Sequence, residues 1–156
     1  MKYSGVCLLV EDMERAKRFY TETLAQRISM DLGQNVTFEG GFSLQSDYER
    51  LMGIAQTEVT QQSNSFELYF EEDDLDQVIA KLEAYGSITF RHKKREAPWG
   101  QYSLVFYDPD GHLIEVGETM PAMVGRFTKQ GLSPAQVSQR TSLPLPAVLE
   151  MLKVAP

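Results

Sequence analysis

The sequence is short of the residues that build disulfide frameworks, transition-metal sites and membrane spans. Its single cysteine, Cys7, excludes an intramolecular disulfide, and two histidines offer few imidazole ligands for a metal. No apolar run approaches the roughly 20 residues that cross a bilayer, and the first such run is too short for a secretion signal. We therefore expect a cytoplasmic protein with no membrane partner.

The composition is that of a folded protein. The 156 residues are 42% hydrophobic, which is enough to bury a sizeable core in one domain, or in one domain with an appendage. The formal net charge of −7 argues against a polyanionic partner across the whole surface. A nucleic-acid partner is therefore disfavoured, and only a locally basic patch would allow one.

One pattern occurs twice along the chain: a β-like run, an amphipathic helix and three further β-like runs. The helices follow Asp12 and Asp74, two good N-cap residues, at an offset of 74 − 12 = 62 residues. Between the two copies, residues 57–65 are polar and unpatterned, which is typical of a linker. The repeat predicts two βαβββ modules, at about 1–56 and 65–118.

The stretch from Leu104 to Glu118 reads LVFYDPDGHLIEVGE, two apolar strands joined by a turn. Its DPDG segment has proline where a fixed φ suits a turn and glycine where a positive φ is often needed. Glu115 is the one charge in the middle of the second strand. A carboxylate in a sheet costs free energy unless it is paired, hydrogen-bonded or bound to a cation. Glu115 is therefore a metal ligand, a catalytic base or a residue that faces water.

Three segments resemble the vicinal oxygen chelate superfamily, which includes glyoxalase I, bleomycin-resistance proteins and extradiol dioxygenases. They read VEDMERAKRFYTETL, DDLDQVIAKLEAYG and PWGQYSLVFYDPDGHLIEV. The resemblance covers residues 1–118 and implies an α+β fold, with two βαβββ modules forming a curved mixed sheet around a cavity. It also implies a small-molecule ligand and a homodimer.

Metal-using members of the superfamily take ligands from the first and last strands of each module. The resemblance places Gly5 at the first of these positions and Glu67 at its counterpart, 5 + 62 = 67. It places Glu115 on the last strand of module two, and the remaining position falls near Ser43 or Gln45. Two carboxylates without a histidine hold a metal weakly. We expect no cofactor; if a divalent metal binds, Glu67 and Glu115 are its predicted ligands.

Side chains alternate between the two faces of a strand, which groups the candidate site residues. The apolar faces are expected to pack on helices, so the opposite faces would line the cavity. Trp99 lies in a loop and is interpreted as a wall for the ligand. The predicted substrate-binding residues are Glu67, Tyr69, Trp99, Cys7 and Glu115. Glu115 is also the candidate catalytic residue, although it could simply pair with a lysine or arginine.

The two histidines are not predicted to belong to this site. His92 falls in the charged run RHKKRE, which we interpret as a solvated loop or a lid between strands. His112 is expected to face away from Glu115.

Residues 119–156 lie beyond the repeat and predict a helical C-terminal extension. Ser133 and Pro134 are a helix-start signal, and the segments that follow are similar in layout to a helix-turn-helix. The last predicted helix is apolar rather than basic, unlike a DNA-reading helix. We expect an appendage that packs on the sheet or on a second subunit.

Three functions remain open at this point. The first is a glyoxalase/bleomycin-resistance-like protein that binds a small organic molecule without the superfamily's full metal site. The second is a metal-dependent lyase, dioxygenase or epimerase that uses Glu115, with Glu67, as ligand or base. The third is a ligand-sensing regulator whose tail contacts DNA. The sequence does not decide whether the protein is an enzyme.

Overall fold

The computed structural model describes residues 1–156 as an α+β protein with the predicted order of elements. The first module consists of β1 (Val6–Leu9), α1 (Met13–Arg18) with a π-helical turn (Phe19–Thr23), β2 (Ile28–Asp31), β3 (Asn35–Phe38), β4 (Phe42–Gln45) and α2 (Tyr48–Met52). The second consists of β5 (Leu68–Glu72), α3 (Leu75–Tyr85), β6 (Thr89–Glu96), β7 (Tyr102–Tyr107) and β8 (Leu113–Glu118). A 3-10 turn (Gln56–Glu58) lies between the modules, and α4 (Met120–Lys129), α5 (Pro134–Thr141) and α6 (Leu145–Met151) end the chain.

The two modules form separate four-stranded sheets with the same topology. The strand orders are β1-β4-β3-β2 and β5-β8-β7-β6, and in each sheet the first strand of the module pairs in parallel with its last. The predicted fold, an α+β arrangement of two βαβββ modules, is confirmed.

By contacts, the chain divides into two compact units. The first unit contains residues 1–67, 81–89 and 107–113, and the second contains 68–80, 90–106 and 114–156. The tip of the β7–β8 hairpin thus belongs to the first unit. The predicted module boundaries stay a prediction.

Both module helices begin at the predicted aspartates. Asp12 Oδ1 accepts the backbone N–H of Arg15 at 3.0 Å, and Asp74 Oδ1 accepts that of Gln77 at 3.1 Å. Each carboxylate satisfies a backbone donor that has no partner within the helix. The repeat inferred from these two residues is therefore present in the structure.

Aromatic residues dominate the core of the first unit. Tyr20 is fully buried, and its ring lies 5.7 Å from that of Phe38 and 5.1 Å from that of Phe42. The rings of Phe38 and Phe42 stack at 4.6 Å. Burying each of these side chains contributes about 2 kcal/mol, so this cluster holds the sheet against the helix that carries Tyr20.

The DPDG turn is anchored in the first unit by buried polar groups. Asp108 accepts the Tyr20 hydroxyl at 2.7 Å and lies 2.8 Å from Nδ1 of His112. Asp110 accepts Nη2 of Arg15 at 2.8 Å and the backbone N–H of Glu11 at 2.9 Å. The segment reverses the chain as predicted, and its carboxylates also fix the turn to the first module.

The C-terminal extension is helical, as predicted. Its helices enclose a small apolar core of their own, formed by Met123, Val124, Phe127, Val137 and Val148. The Ser133 side chain accepts the N–H of Gln136, whose own side chain accepts the N–H of Ser133, which completes a capping box. None of the helices combines the length and hydropathy that a membrane span requires.

One predicted strand extends further than expected. The charged run at residues 91–96 is not a loop but most of strand β6. β6 lies at the edge of its sheet, where its charged side chains reach water and discourage the unpaired strand edge from pairing with other chains. His92 is therefore a strand residue; its Nδ1 lies 2.8 Å from the backbone oxygen of Lys93.

Candidate functional site

Glu115 lies on the less buried face of the second sheet. Its neighbours Ile114 and Val116 are buried on the other face, whereas Glu115 is half-buried. In the parallel pairing of β5 with β8, the residue in register with Glu115 is Tyr69. We call the surface that carries Tyr69, Glu115 and Gly117 the open face.

Hydrogen bonds join Tyr69 to Trp99 through Gln101. Nε2 of Gln101 donates to the Tyr69 hydroxyl at 3.0 Å, and Oε1 of Gln101 accepts the indole N–H of Trp99 at 3.0 Å. Gln101 itself is 7% exposed, while Tyr69 and Trp99 are 48% and 50% exposed. One buried amide thus holds two half-exposed aromatic side chains.

Gly117 leaves room for the Tyr69 hydroxyl. A Cβ at this position would lie 2.3 Å from the hydroxyl oxygen and 3.0 Å from Nε2 of Gln101. Any side chain at residue 117 would therefore displace the phenol from the open face. Glycine is required here for space, and its φ is not in the left-handed region.

The surroundings of Tyr69 keep its hydroxyl protonated. Burial raises the pKa of Tyr69, and the nearby carboxylates of Glu71 and Glu115 raise it further, while the hydrogen bond from Gln101 lowers it. The hydroxyl donates to Oε1 of Glu71 at 3.4 Å. At neutral pH the open face thus presents a neutral phenol beside carboxylates.

Gln101 is held from behind by the last strand. Its Nε2 also donates to the backbone oxygen of Glu118 at 2.7 Å. Glu118 is 6% exposed, and its carboxylate pairs with both Nε and Nη2 of Arg126 at 2.9 Å. Gln101, Gly117 and Glu118 are not among the site residues predicted from the sequence. A glutamine directly after the PWG turn, at the start of an apolar strand, was the one available signal.

The predicted site residues fall in different units. Tyr69, Trp99 and Glu115 lie in the second unit, where the structure brings Tyr69 and Trp99 together and places Glu115 in register with Tyr69. Glu67 is exposed, precedes β5 by one residue, and lies in the first unit with Cys7.

Cys7 is exposed on β1. It lines a shallow cavity of about 240 Å³ in the first unit, together with small residues that include Thr37, Gly41 and Ser43. The proposed sharing of one site by all five residues stays a prediction.

The superfamily's metal does not fit the donor groups present. Gly5 has φ +141, and a Cβ there would lie 2.3 Å from the backbone oxygen of Gly41, so no ligating side chain fits without moving that backbone. The Gln45 amide already bonds Asn35 and the backbone oxygens of Gln34 and Ser46. No three carboxylate, imidazole or thiol groups are arranged so that they could hold a metal ion. We derive no reaction step through a metal.

Residues 3–121 match the glyoxalase-like domain family. A protein of unknown function from Agrobacterium tumefaciens is 31% identical; the match covers 77% of this chain and 95% of that one, with a TM-score of 0.65.

Two further solved structures are similar to this chain. A lactoylglutathione lyase from Agrobacterium tumefaciens is 27% identical over 72% of this chain and 90% of its own, with a TM-score of 0.55. A glyoxalase/bleomycin resistance protein/dioxygenase family enzyme from Burkholderia phytofirmans is 20% identical over 75% of this chain and 98% of its own, with a TM-score of 0.64. The latter similarity is one of fold alone. No curated protein matches the sequence.

Proposed function

Because the chain belongs to the glyoxalase-like family, and thus to the vicinal oxygen chelate superfamily that its sequence resembles, we propose that it binds a small organic molecule. The site is the open face of the second sheet, and binding does not use the superfamily's full metal set. The observation that carries the proposal is the bridge from Tyr69 through Gln101 to Trp99. The expected homodimer and cytoplasmic location stay predictions.

The aromatic pair supplies an apolar surface that is already ordered. Half-exposed tyrosine and tryptophan side chains normally lose rotamer freedom when a ligand orders them, which weakens binding. Here the hydrogen bonds of Gln101 fix both side chains in the unliganded protein. A flat, apolar portion of a ligand therefore contacts Tyr69 and Trp99 at a small entropic cost.

Glu115 determines the polar part of the ligand. No lysine or arginine forms an ion pair with Glu115. A second carboxylate, Glu71, lies on the same strand face as Tyr69, the residue in register with Glu115. Carboxylates accept hydrogen bonds and attract cations. The ligand class that fits is a flat aromatic compound with an ammonium group or another strong hydrogen-bond donor.

A second candidate function is catalysis with Glu115 as a general base. The absence of a cationic partner favours it, since the carboxylate is left to accept a proton from a bound substrate. The similar lactoylglutathione lyase from Agrobacterium tumefaciens is named as an enzyme, which is consistent with this candidate. If it is correct, Glu115→Gln abolishes turnover of an identified substrate while leaving the fold intact.

Calorimetric titration tests the binding proposal with 1-naphthylmethylamine and its neutral analogue 1-naphthylmethanol. We expect the amine to bind with a Kd below about 1 mM. Glu115→Gln should weaken the amine about ten-fold and the alcohol little, because only the amine carries a charge. Gly117→Ala should weaken both, because it displaces Tyr69. The matched control is Glu49→Gln, an exposed carboxylate on α2.

Two outcomes contradict the proposal. The first is that neither compound binds, or that Glu115→Gln, Gly117→Ala and Glu49→Gln behave alike. The second comes from metal analysis of the purified protein: one tightly held divalent ion per chain, released by Glu115→Ala, would contradict metal-free binding.

A further inference from the structure

The loop that carries Trp99 is hydrogen-bonded to the C-terminal helices through two arginines. Nη2 of Arg126, on α4, donates to the backbone oxygen of Gly100 at 2.6 Å. Nη1 of Arg140, on α5, donates to the backbone oxygen of Pro98 at 2.6 Å. The two carbonyls held in this way belong to the residues on either side of Trp99.

Gly100 shows how closely this loop approaches the helices. The residue is buried with φ +98, and a Cβ on it would lie 2.7 Å from the ring of Phe127 on α4. The same ring contacts both guanidinium groups, at 4.6 Å for Arg126 and 5.6 Å for Arg140. Only glycine combines this backbone conformation with such an approach.

Each arginine is also fixed by a carboxylate. Glu118 holds Arg126 with two hydrogen bonds of 2.9 Å, and Oε1 of Glu96 accepts Nη2 of Arg140 at 2.6 Å. Both contacts are charge-assisted, and the forked contact of Glu118 restricts the Arg126 guanidinium more than a single bond would. Because α4 and α5 share an apolar core with α6, both arginines extend from one packed body.

We propose that the C-terminal helices position the Trp99 wall of the ligand site, with Arg126 and Arg140 as positioning residues. The proposal rests on the function proposed above for the open face. It assigns the extension a role within its own chain: it fixes the backbone on both sides of Trp99. Through the bond from Trp99 to Gln101, it also fixes the orientation of the aromatic pair.

Fluorescence of the unliganded full-length protein tests the positioning directly, because Trp99 is the only tryptophan. In Arg140→Ala we expect acrylamide to quench Trp99 about twice as strongly, since the loop loses its anchor at Pro98, strand β6 loses the bond at Glu96, and the loop opens locally. Arg140→Lys keeps the charge and one donor and should be intermediate. The matched control is Lys153→Ala, which removes the surface ion pair with Glu150 elsewhere in the extension. Acrylamide should quench Trp99 in this variant as strongly as in the wild type.

Two further measurements separate positioning from general destabilisation. Amide exchange at Val124 and Val148 should be unchanged in Arg140→Ala, which shows that the helical core persists. A second variant, Gly100→Ala, acts from the loop side by clashing with Phe127 and should raise quenching while leaving both arginines in place. The proposal is overturned if quenching is unchanged in both variants, or if it rises only where exchange of the helical core rises too.

Titration with 1-naphthylmethylamine distinguishes this proposal from the function on which it rests. We expect about a five-fold weaker Kd in Arg140→Ala, because the ligand must then order the loop. The positioning role is overturned if a variant in which Trp99 is more strongly quenched binds the amine with the same Kd as the wild type. If the amine does not bind the wild type, the function of the open face fails, whereas the quenching result still decides whether the helices hold the loop.

Discussion

The two sheets share one topology but use their polar residues differently. In the first unit, buried carboxylates fix the tip of a hairpin, and the β1 surface around Cys7 carries small side chains. In the second unit, buried Gln101 and Glu118 support two half-exposed aromatic residues on the open face. The repeated fold therefore provides two similar frames, and the binding site that we propose uses only one of them.

The largest expected effect comes from removing the carboxylate at the centre of the hairpin anchor. Asp108→Ala leaves the buried Tyr20 hydroxyl and the N–H groups of Asp110 and His112 without their acceptor. We expect a loss of about 3 kcal/mol in the free energy of unfolding. Urea denaturation followed by circular dichroism measures it. A loss no greater than that of Tyr20→Phe, expected at about 1 kcal/mol, would contradict the central role of Asp108.

Gly5→Ala tests whether the first module is closed to a ligating side chain. Its Cβ meets the Gly41 backbone, so we expect a loss of about 2 kcal/mol. Gly33→Ala is the matched control, because Gly33 also has a positive φ but nothing lies within 4 Å of its Cβ. It should cost about 1 kcal/mol, the strain of the backbone alone. Equal losses would show that space at Gly5 is not limiting.

In the second unit, Gln101→Ala should loosen the aromatic pair at a smaller cost in stability. The variant removes the bonds to Tyr69, to Trp99 and to the backbone oxygen of Glu118. The two aromatic side chains can then bond to water, so we expect a loss of about 1.5 kcal/mol. Trp99 fluorescence should show greater quenching by acrylamide. Under conditions in which Asp108→Ala is still folded, this variant should leave the quenching of Trp99 unchanged. That result would show that the polar network of Asp108 and the network of Gln101 act independently.

The smallest effect is a pH dependence of the hairpin anchor. The Asp108 carboxylate raises the pKa of His112 despite its burial, so the folded protein holds this proton more tightly than the unfolded chain does. Its stabilisation is complete below the unfolded value of about 6.5 and is lost as pH rises through the higher folded value. Denaturation between pH 6 and pH 8 should show this decline. A decline of the same size in His112→Gln would contradict the assignment.

Much of the fold followed from local patterns. Asp12 and Asp74 mark helix starts because capping depends on neighbouring residues, and the face of Glu115 follows from strand alternation. Gln101 and Gly117 could not be identified, since their roles depend on the register that brings residues 69, 101 and 117 together. The charged part of strand β6, residues 91–96, was interpreted as a loop because such charges are typical of one, whereas the position of β6 at the sheet edge is set by tertiary structure.

The measurement that tests the account most directly is a titration of isotope-labelled protein with 1-naphthylmethylamine, observed by NMR. The only tryptophan gives a single indole N–H resonance, which reports on the open face. We predict that this resonance and the amides of Tyr69 and Glu115 shift together, with one common Kd, while the amides of Cys7 and Ser43 stay in place. Shifts confined to Cys7 and Ser43, with no change at Trp99, would contradict the assignment of the binding site to the second sheet.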